Sequence, residues 1–364
     1  MLPKKVIVEA PGRLCLFGEH QDFLGLAVIA VPVDLTIKVV GVPNEEGVFR
    51  ISMPDVGDRD EFAVGAELPY RGPRDYIRSA TNVLRREGLD IRQGYDVTIT
   101  GTIPINAGTS SSSALAVAWV AFLLATQRGH VPHSREDIAR YAHRAEVVEF
   151  REPGGMMDHY TSAVGGLLYI DCREPVRIEP LPAELDGFVL GESLVAKETT
   201  DTLRQSREAA TKGFAMLAEM VPDFSVRRTP LSLVERYLER LPEDAARVVR
   251  AQLVNRDLCR EARRLLSHSW LDEEAQRRLG KMLLEHQRQL RDGIGVSHPK
   301  LDLLIEAAVE AGALGGKLNG SGMGGCMFAY APGRQAEVKA AIDAAGGRGH
   351  IVSVGPGLRV DVER

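Results

Sequence analysis

The sequence predicts mixed strands and helices divided between two domains, residues 1–180 and 181–364. Three observations carry this. The 364-residue length suits two ordinary domains or one large one. The first half alternates Val/Ile-rich strand patterns with helical ones, whereas residues 195–295 read as helix almost throughout, with long Leu/Arg/Glu runs and few glycines. The change between the two regimes falls near residue 180.

Taken in order, residues 5–9 and 27–42 are strand-like, 75–86 helical, and 95–101 a half-buried strand of alternating Tyr-Asp-Val-Thr-Ile-Thr. A Gly/Ser loop then leads into an apolar helix reaching about Arg128, followed by a charged helix over 134–150 and a short strand over 167–171. In the second half a helix over 299–313 precedes a glycine-rich stretch, 315–325. A strand over 326–330, a helix over 334–345 and one or two strands over 351–362 close the chain.

Composition narrows the function. Hydrophobic content of 44% and charged content of 26% mark a globular chain. The net charge of −5 comes without a basic block, which argues against nucleic acid as a partner. The apolar run 114–125 is too short to span a bilayer, so no membrane partner is expected. The first residues enter a strand-like run without a signal-peptide core. Cys15, Cys172, Cys259 and Cys326 are scattered and read as buried thiols of a reducing compartment, so a cytoplasmic location is expected.

Four stretches carry chemistry. Residues 104–113 read Pro-Ile-Asn-Ala-Gly-Thr-Ser-Ser-Ser-Ser and run directly into the apolar helix. A helix start offers unpaired N–H groups and partial positive charge, which suits a phosphate. One serine would serve as an ordinary N-cap; a run of four after Gly108 favours an anion site. Residues 315–325 spell GxGxxG at Gly320, Gly322 and Gly325. A dinucleotide fingerprint follows a strand and opens a helix, and here the order is reversed. Backbone approaching a ligand or another loop accounts better for so many glycines than a turn does. Residues 12–25 place Arg13, Glu19, His20 and Asp22 among apolar residues, either as a solvated hairpin or as paired buried charges. In Glu-Pro-Gly-Gly-Met-Met-Asp-His, residues 152–159, Asp158 is a candidate base if a cation such as Arg13 holds it ionised, or else a helix N-cap.

Together these motifs resemble the GHMP kinase superfamily. Pro-x-x-x-Gly-x-x-Ser-Ser at 104–112 is similar to its phosphate loop, and Lys-Leu-Asn-Gly-Ser-Gly-x-Gly-Gly at 317–325 to its C-terminal glycine motif. Gly12-Arg13 with Gly18-Glu-His-x-Asp22, and Gly155-Met-Met-Asp-His with Tyr169-Ile-Asp-Cys-Arg173, most resemble the galactokinase-like sugar kinases. The resemblance implies two α+β domains, the first like ribosomal protein S5 domain 2 and the second ferredoxin-like.

The resemblance also implies an ATP-dependent kinase that phosphorylates a monosaccharide, most simply at its anomeric hydroxyl. Asp158 would be the base and Arg13 its cationic partner. Glu19, His20 and Asp22 would face the sugar. Gly108, Ser110, Ser111 and Ser112 would wrap the phosphates, with Gly322 also on the ATP. Ser112 and Glu146 would hold Mg²⁺; Glu146 lies twelve residues before Asp158. The pattern departs from galactokinases at 200–207, which carries no tyrosine, and at Thr109 in place of leucine. A mevalonate-type isoprenoid kinase and a non-catalytic sugar sensor on the same fold are the alternatives. Asp22 opposes the first, since mevalonate's carboxylate needs a cation; Ser112, Glu146 and Asp158 oppose the second.

Overall fold

A computed structural model describes residues 3–104, 108–127, 133–196 and 199–364, with side chains described for all of these but 199 and 200. Ile105, Asn106 and Ala107 of the Gly/Ser stretch lie outside the described residues, as does Arg128, where the helix after it was expected to end. So does the side chain of Thr200, at the head of the segment that carries no tyrosine.

In chain order the elements are β1 (Lys5–Phe17), β2 (Ala27–Asn44), β3 (Val48–Met53), β4 (Asp58–Ala63), α1 (Tyr76–Arg86), β5 (Gly94–Gly101), α2 (Ser111–Ala125), α3 (Arg135–His143), α4 (Met157–Val164), β6 (Leu168–Asp171), β7 (Arg177–Pro180) and β8 (Phe188–Glu192). There follow α5 (Thr199–Met220), α6 (Leu231–Leu238), α7 (Glu243–Leu265), α8 (Glu273–Arg288), α9 (Pro299–Glu310), β9 (Gly315–Asn319), β10 (Cys326–Tyr330), α10 (Gln335–Ala344), β11 (Arg348–Val352) and β12 (Arg359–Glu363). This mixture of helices and sheets is the expected α+β class.

The first sheet has the order β12-β1-β2-β5-β3-β4, with β6 and β7 attached through β2. Its pairs are antiparallel except β3 with β5. Helices α1 to α4 cover one face. Helix α2 is apolar all round and buried along almost its whole length, as a helix without a polar face must be. The second sheet, β11-β8-β10-β9, is antiparallel throughout. Its strands follow the sequence β8-α9-β9-β10-α10-β11, the ferredoxin-like arrangement, with α5 to α8 inserted after β8.

Period-two alternation assigns the second sheet's faces. Val189, Leu318, Met327 and Ala329 pack against α9 and α10. Phe188, Leu190, Phe328 and Tyr330 face the other way and share a core with Leu14, Leu16, Phe17, Ile29 and Val31 of β1 and β2. The two sheets are thus joined by one apolar cluster. The last strand also crosses back, pairing residues 359–363 with 5–9.

Strand β1 changes faces midway. Val6, Val8 and Ala10 point at α2. The pairing with β2 is irregular between Pro11 and Arg13. Beyond it the odd-numbered Cys15 takes the α2 side, while Leu14 and Leu16 turn to the second sheet. Bulged pairings re-aim side chains in this way. Arg13 shares the parity of Cys15 and therefore points toward α2 and α4.

Several elements differ from the sequence expectation or were not part of it. Residues 315–319, within the glycine-rich stretch, form strand β9: a Cβ on Gly315 would lie 2.1 Å from the carbonyl oxygen of Gly280, so bare backbone lets α8 lie on this strand. The helix expected over 134–150 is α-helical only to His143 and then widens into a π turn, Arg144–Val148. Residues 48–63 form the hairpin of β3 and β4. No described helix is long and apolar enough to cross a membrane, and all four cysteines are free and buried.

Candidate active site

Arg13 is 4% exposed and grips Asp158 through two bonds: Nε donates to Oδ1 at 2.7 Å and Nη2 to Oδ2 at 3.1 Å. Its Nη1 donates to the Gly108 carbonyl at 2.6 Å, which ties it to the Gly/Ser loop. Asn319 of β9 donates to the same carbonyl at 3.0 Å and to the Arg13 carbonyl at 3.2 Å. Burial opposes ionisation of Asp158, but the charge of Arg13 and the Ser110 hydroxyl bond prevail and hold its pKa below the usual carboxylate value. A quarter of its side chain stays exposed (25%), so the carboxylate is reachable from the cleft.

Ser110 occupies the N-cap of α2 in left-handed backbone (φ 61°) and makes no side-chain cap bond. Its hydroxyl donates instead to Asp158 Oδ2 at 2.5 Å. The first N–H groups of α2 therefore lack the side-chain partner an N-cap serine normally supplies. Gly320 closes over this loop: at φ +85°, a Cβ there would sit 2.8 Å from the Gly108 oxygen.

Glu146 sits on the π turn, a helical irregularity common at functional sites. It is 5% exposed, and His159 Nε2 lies 2.7 Å from its Oε2. Burial would raise its pKa; the His159 bond and charge, with hydroxyl bonds from Ser112 and Ser113, lower it below the usual value. Glu146 is thus ionised. Among the described residues no three His, Cys, Asp or Glu side chains gather as a metal site. The Ser112 hydroxyl and the Glu146 carboxylate are hard oxygen donors, the kind Mg²⁺ accepts when phosphates complete its shell. The donor set fits that ion.

The other end of the cleft follows β1. Glu19 is buried and paired with Lys317, whose Nζ lies 2.9 Å from Oε2 and also donates to the Cys15 and Leu318 carbonyls. His20 is held by Ser206 through Nδ1 and by the Ser321 carbonyl through Nε2, each at 3.1 Å. Burial lowers its pKa. Asp22 accepts from the Phe23 N–H at 2.9 Å. Burial, reinforced by the nearby Asp158 charge, raises its pKa to about 6. Gly155 makes room for it: a Cβ there would lie 2.0 Å from Asp22 Oδ2.

Arg13, Glu19, His20, Asp22, Glu146 and Asp158 all line one cleft of about 350 Å³, together with Gly108, Ser110, Ser111 and Ser112. Gly322 stands apart; a Cβ there would meet the Val296 carbonyl at 2.0 Å, and it is Gly320 and Ser321 that reach the cleft. Lys317, Asn319 and His159 were not singled out from sequence. A lysine inside a glycine-rich run is the one local signal for the first, and adjacency to Asp158 the one for the last.

Residues 75–166 match the GHMP kinases N terminal domain, residues 269–348 the GHMP kinases C terminal family, and residues 2–43 the galactokinase galactose-binding signature. A mevalonate kinase from Pyrococcus horikoshii is 33% identical over 98% of this chain and 98% of its own length. A galactokinase from Haemophilus influenzae is 30% identical, covering 90% of this chain and 85% of its own. The crystal structure of Lactococcus lactis galactokinase complexed with galactose superposes with a TM-score of 0.83 at 20% identity, over 98% of this chain and 95% of that one. The chain belongs to the GHMP kinase superfamily, whose members use ATP as phosphate donor, and its first 43 residues are galactokinase-like. It has that family's two-domain fold.

Proposed function

We propose that this kinase transfers the γ-phosphoryl group of ATP to the anomeric hydroxyl of a monosaccharide. One observation carries the choice of acceptor. The acceptor end of the cleft offers Asp22, and both arginines that line the cleft among the described residues are already engaged, Arg13 by Asp158 and Arg74 by Glu152. A neutral polyol suits such a wall; a carboxylate-bearing acceptor does not. The galactokinase galactose-binding signature spans Arg13 and Asp22.

In this reading Asp158 orients the acceptor hydroxyl and takes its proton as the bond to phosphorus forms. Arg13 keeps Asp158 ionised and adds positive charge where the transferring group passes. The open N–H groups of α2 with Gly108, Ser110, Ser111 and Ser112 hold the phosphates. Gly322 keeps the glycine loop against Val296, so that Gly320 and Ser321 close the cleft. Ser112 and Glu146 would hold Mg²⁺, which when bound neutralises phosphate charge. Phosphoryl transfer needs little else, since positioning and charge stabilisation carry most of the catalysis. His20, fixed at both ring nitrogens, and Glu19, fixed by Lys317, shape the sugar end with Asp22.

A mevalonate-type kinase is the second reading, favoured by the 33% identity with the Pyrococcus horikoshii enzyme over 98% of both chains. The deciding experiment measures ADP release with a panel of monosaccharides and with mevalonate. Turnover on at least one sugar and none on mevalonate is expected; the reverse pattern overturns the proposal.

A further inference from the structure

Successive residues at the start of α4 serve two different partners. Asp158 turns to Arg13, and His159 turns to Glu146. His159 is 1% exposed, and its ring meets the edge of His143 at a centroid distance of 5.4 Å and an interplanar angle of 83°. The ring is therefore fixed in place. Its Nδ1 has no hydrogen-bond partner among the described residues. A carboxylate only accepts, so the hydrogen lies on Nε2 and points at Glu146 Oε2.

A glutamate carboxylate rotates broadly about its last torsion. Glu146 leaves its helix at a π turn and reaches across to Ser112 and Ser113, so its own backbone does little to fix the plane of that carboxylate. The His159 bond does, together with the Ser112 and Ser113 hydroxyls. We propose that His159 is a positioning residue that sets the Glu146 carboxylate for the divalent cation, and that through α4 it fixes this carboxylate relative to Asp158 on the same helical turn. The proposal rests on the reading of Glu146 as a metal-holding group.

The test measures Mn²⁺ binding to the enzyme–ADP complex by the EPR signal of free Mn²⁺, the Mg²⁺ concentration for half-maximal turnover, and Tm. The variants are His159→Leu, His159→Asn, His159→Gln and Glu146→Gln. Outer partners of metal ligands are worth about 10–100-fold in metal affinity, and His159→Leu and His159→Asn are each expected to weaken Mn²⁺ by that factor and to raise the Mg²⁺ requirement in step. Asparagine keeps a polar side chain but falls short of Glu146, so it serves if the leucine variant does not fold. His159→Gln restores a donor at longer reach and is expected to recover most of the affinity. Wild-type Mn²⁺ binding in folded His159→Leu or His159→Asn, with Glu146→Gln impaired, overturns the positioning role alone. Wild-type binding in Glu146→Gln overturns the metal-holding reading, and the proposal with it.

Discussion

Arg13 and Asp158 lie 145 residues apart in sequence yet form a two-pronged ion pair, with Nε 2.7 Å from Oδ1 and Nη2 3.1 Å from Oδ2. The same guanidinium reaches the Gly108 carbonyl. One side chain from β1 thus sets the distance between the Gly/Ser loop proposed to hold the phosphates and the group proposed to receive the acceptor's proton. Paired carboxylate geometry of this kind needs the guanidinium fork, which lysine lacks.

Asp158→Asn keeps the size of the side chain and removes its capacity to take a proton. Turnover is expected to fall by about 10²–10⁴-fold, the usual contribution of a general base. Nucleotide affinity, measured by titration with a fluorescent ADP, should remain within a few-fold of wild type, because the proposed phosphate contacts lie elsewhere. Unchanged turnover removes Asp158 from the mechanism.

Asp22 supplies a pH signature. Its pKa rises from 3.8 to about 6 in the folded chain, so between those values the folded state holds more proton than the unfolded state. Stability therefore falls as pH rises from about 4 to above 6, by roughly 3 kcal/mol for this group. Asp22→Asn is expected to flatten that part of the stability profile and to be the more stable protein at pH 8. Because ionised Asp22 is the proposed sugar acceptor group, kcat/KM of the wild type should decline below about pH 6. Asp158, whose pKa is lowered, does not titrate there. An acid limb that persists in Asp22→Asn assigns it to another group.

Lys317 and Glu19 form a buried pair, 0% and 3% exposed. Lys317→Met leaves Glu19 charged and unpartnered inside the protein, which destabilises by about 3–5 kcal/mol. Denaturant unfolding checks this. The double variant Lys317→Met/Glu19→Gln should recover much of the loss, since the two residues are coupled. Equal stability of the two proteins would show that Lys317 acts through its bonds to the Cys15 and Leu318 carbonyls instead.

Gly155→Ala places a methyl group 2.0 Å from Asp22 Oδ2. The short aspartate side chain cannot move aside without losing its place at the acceptor end. KM for the sugar is expected to rise about tenfold or more, of the order a single displaced polar contact produces, while KM for ATP holds. A parallel rise in both constants would mean that the cleft as a whole has shifted.

How far the molecule is legible in its sequence depends on how local each signal is. Helix α1 follows from its own periodicity and strand β10 from its short apolar run. Strand β4 does not: Asp58, Arg59, Asp60 and Glu61 carry no apolar alternation. They form a charged edge strand, held partly by Arg78, which binds Asp60 through two bonds. Strand β9 is hidden because its glycines answer to Gly280, in another element. The cleft shows the same division. Arg13, Glu19, Asp22 and Asp158 stand out within short motifs and Glu146 only through the family resemblance, whereas Lys317 acquires its meaning from a glutamate 298 residues away. Gly322 shows the limit of spelling: it belongs to a phosphate-like motif, yet packs on Val296.

The change of face along β1 makes residue count itself a carrier of information. A substitution in this strand changes one side chain and leaves the others on their faces. Deleting one residue beside Gly12 would exchange the strand's two sides from there on, sending the guanidinium into the apolar seam between the sheets and a leucine into the phosphate cleft. An insertion or deletion at this point therefore displaces Arg13 and the side chains beyond it together, so the chain is constrained here in length as well as in letter.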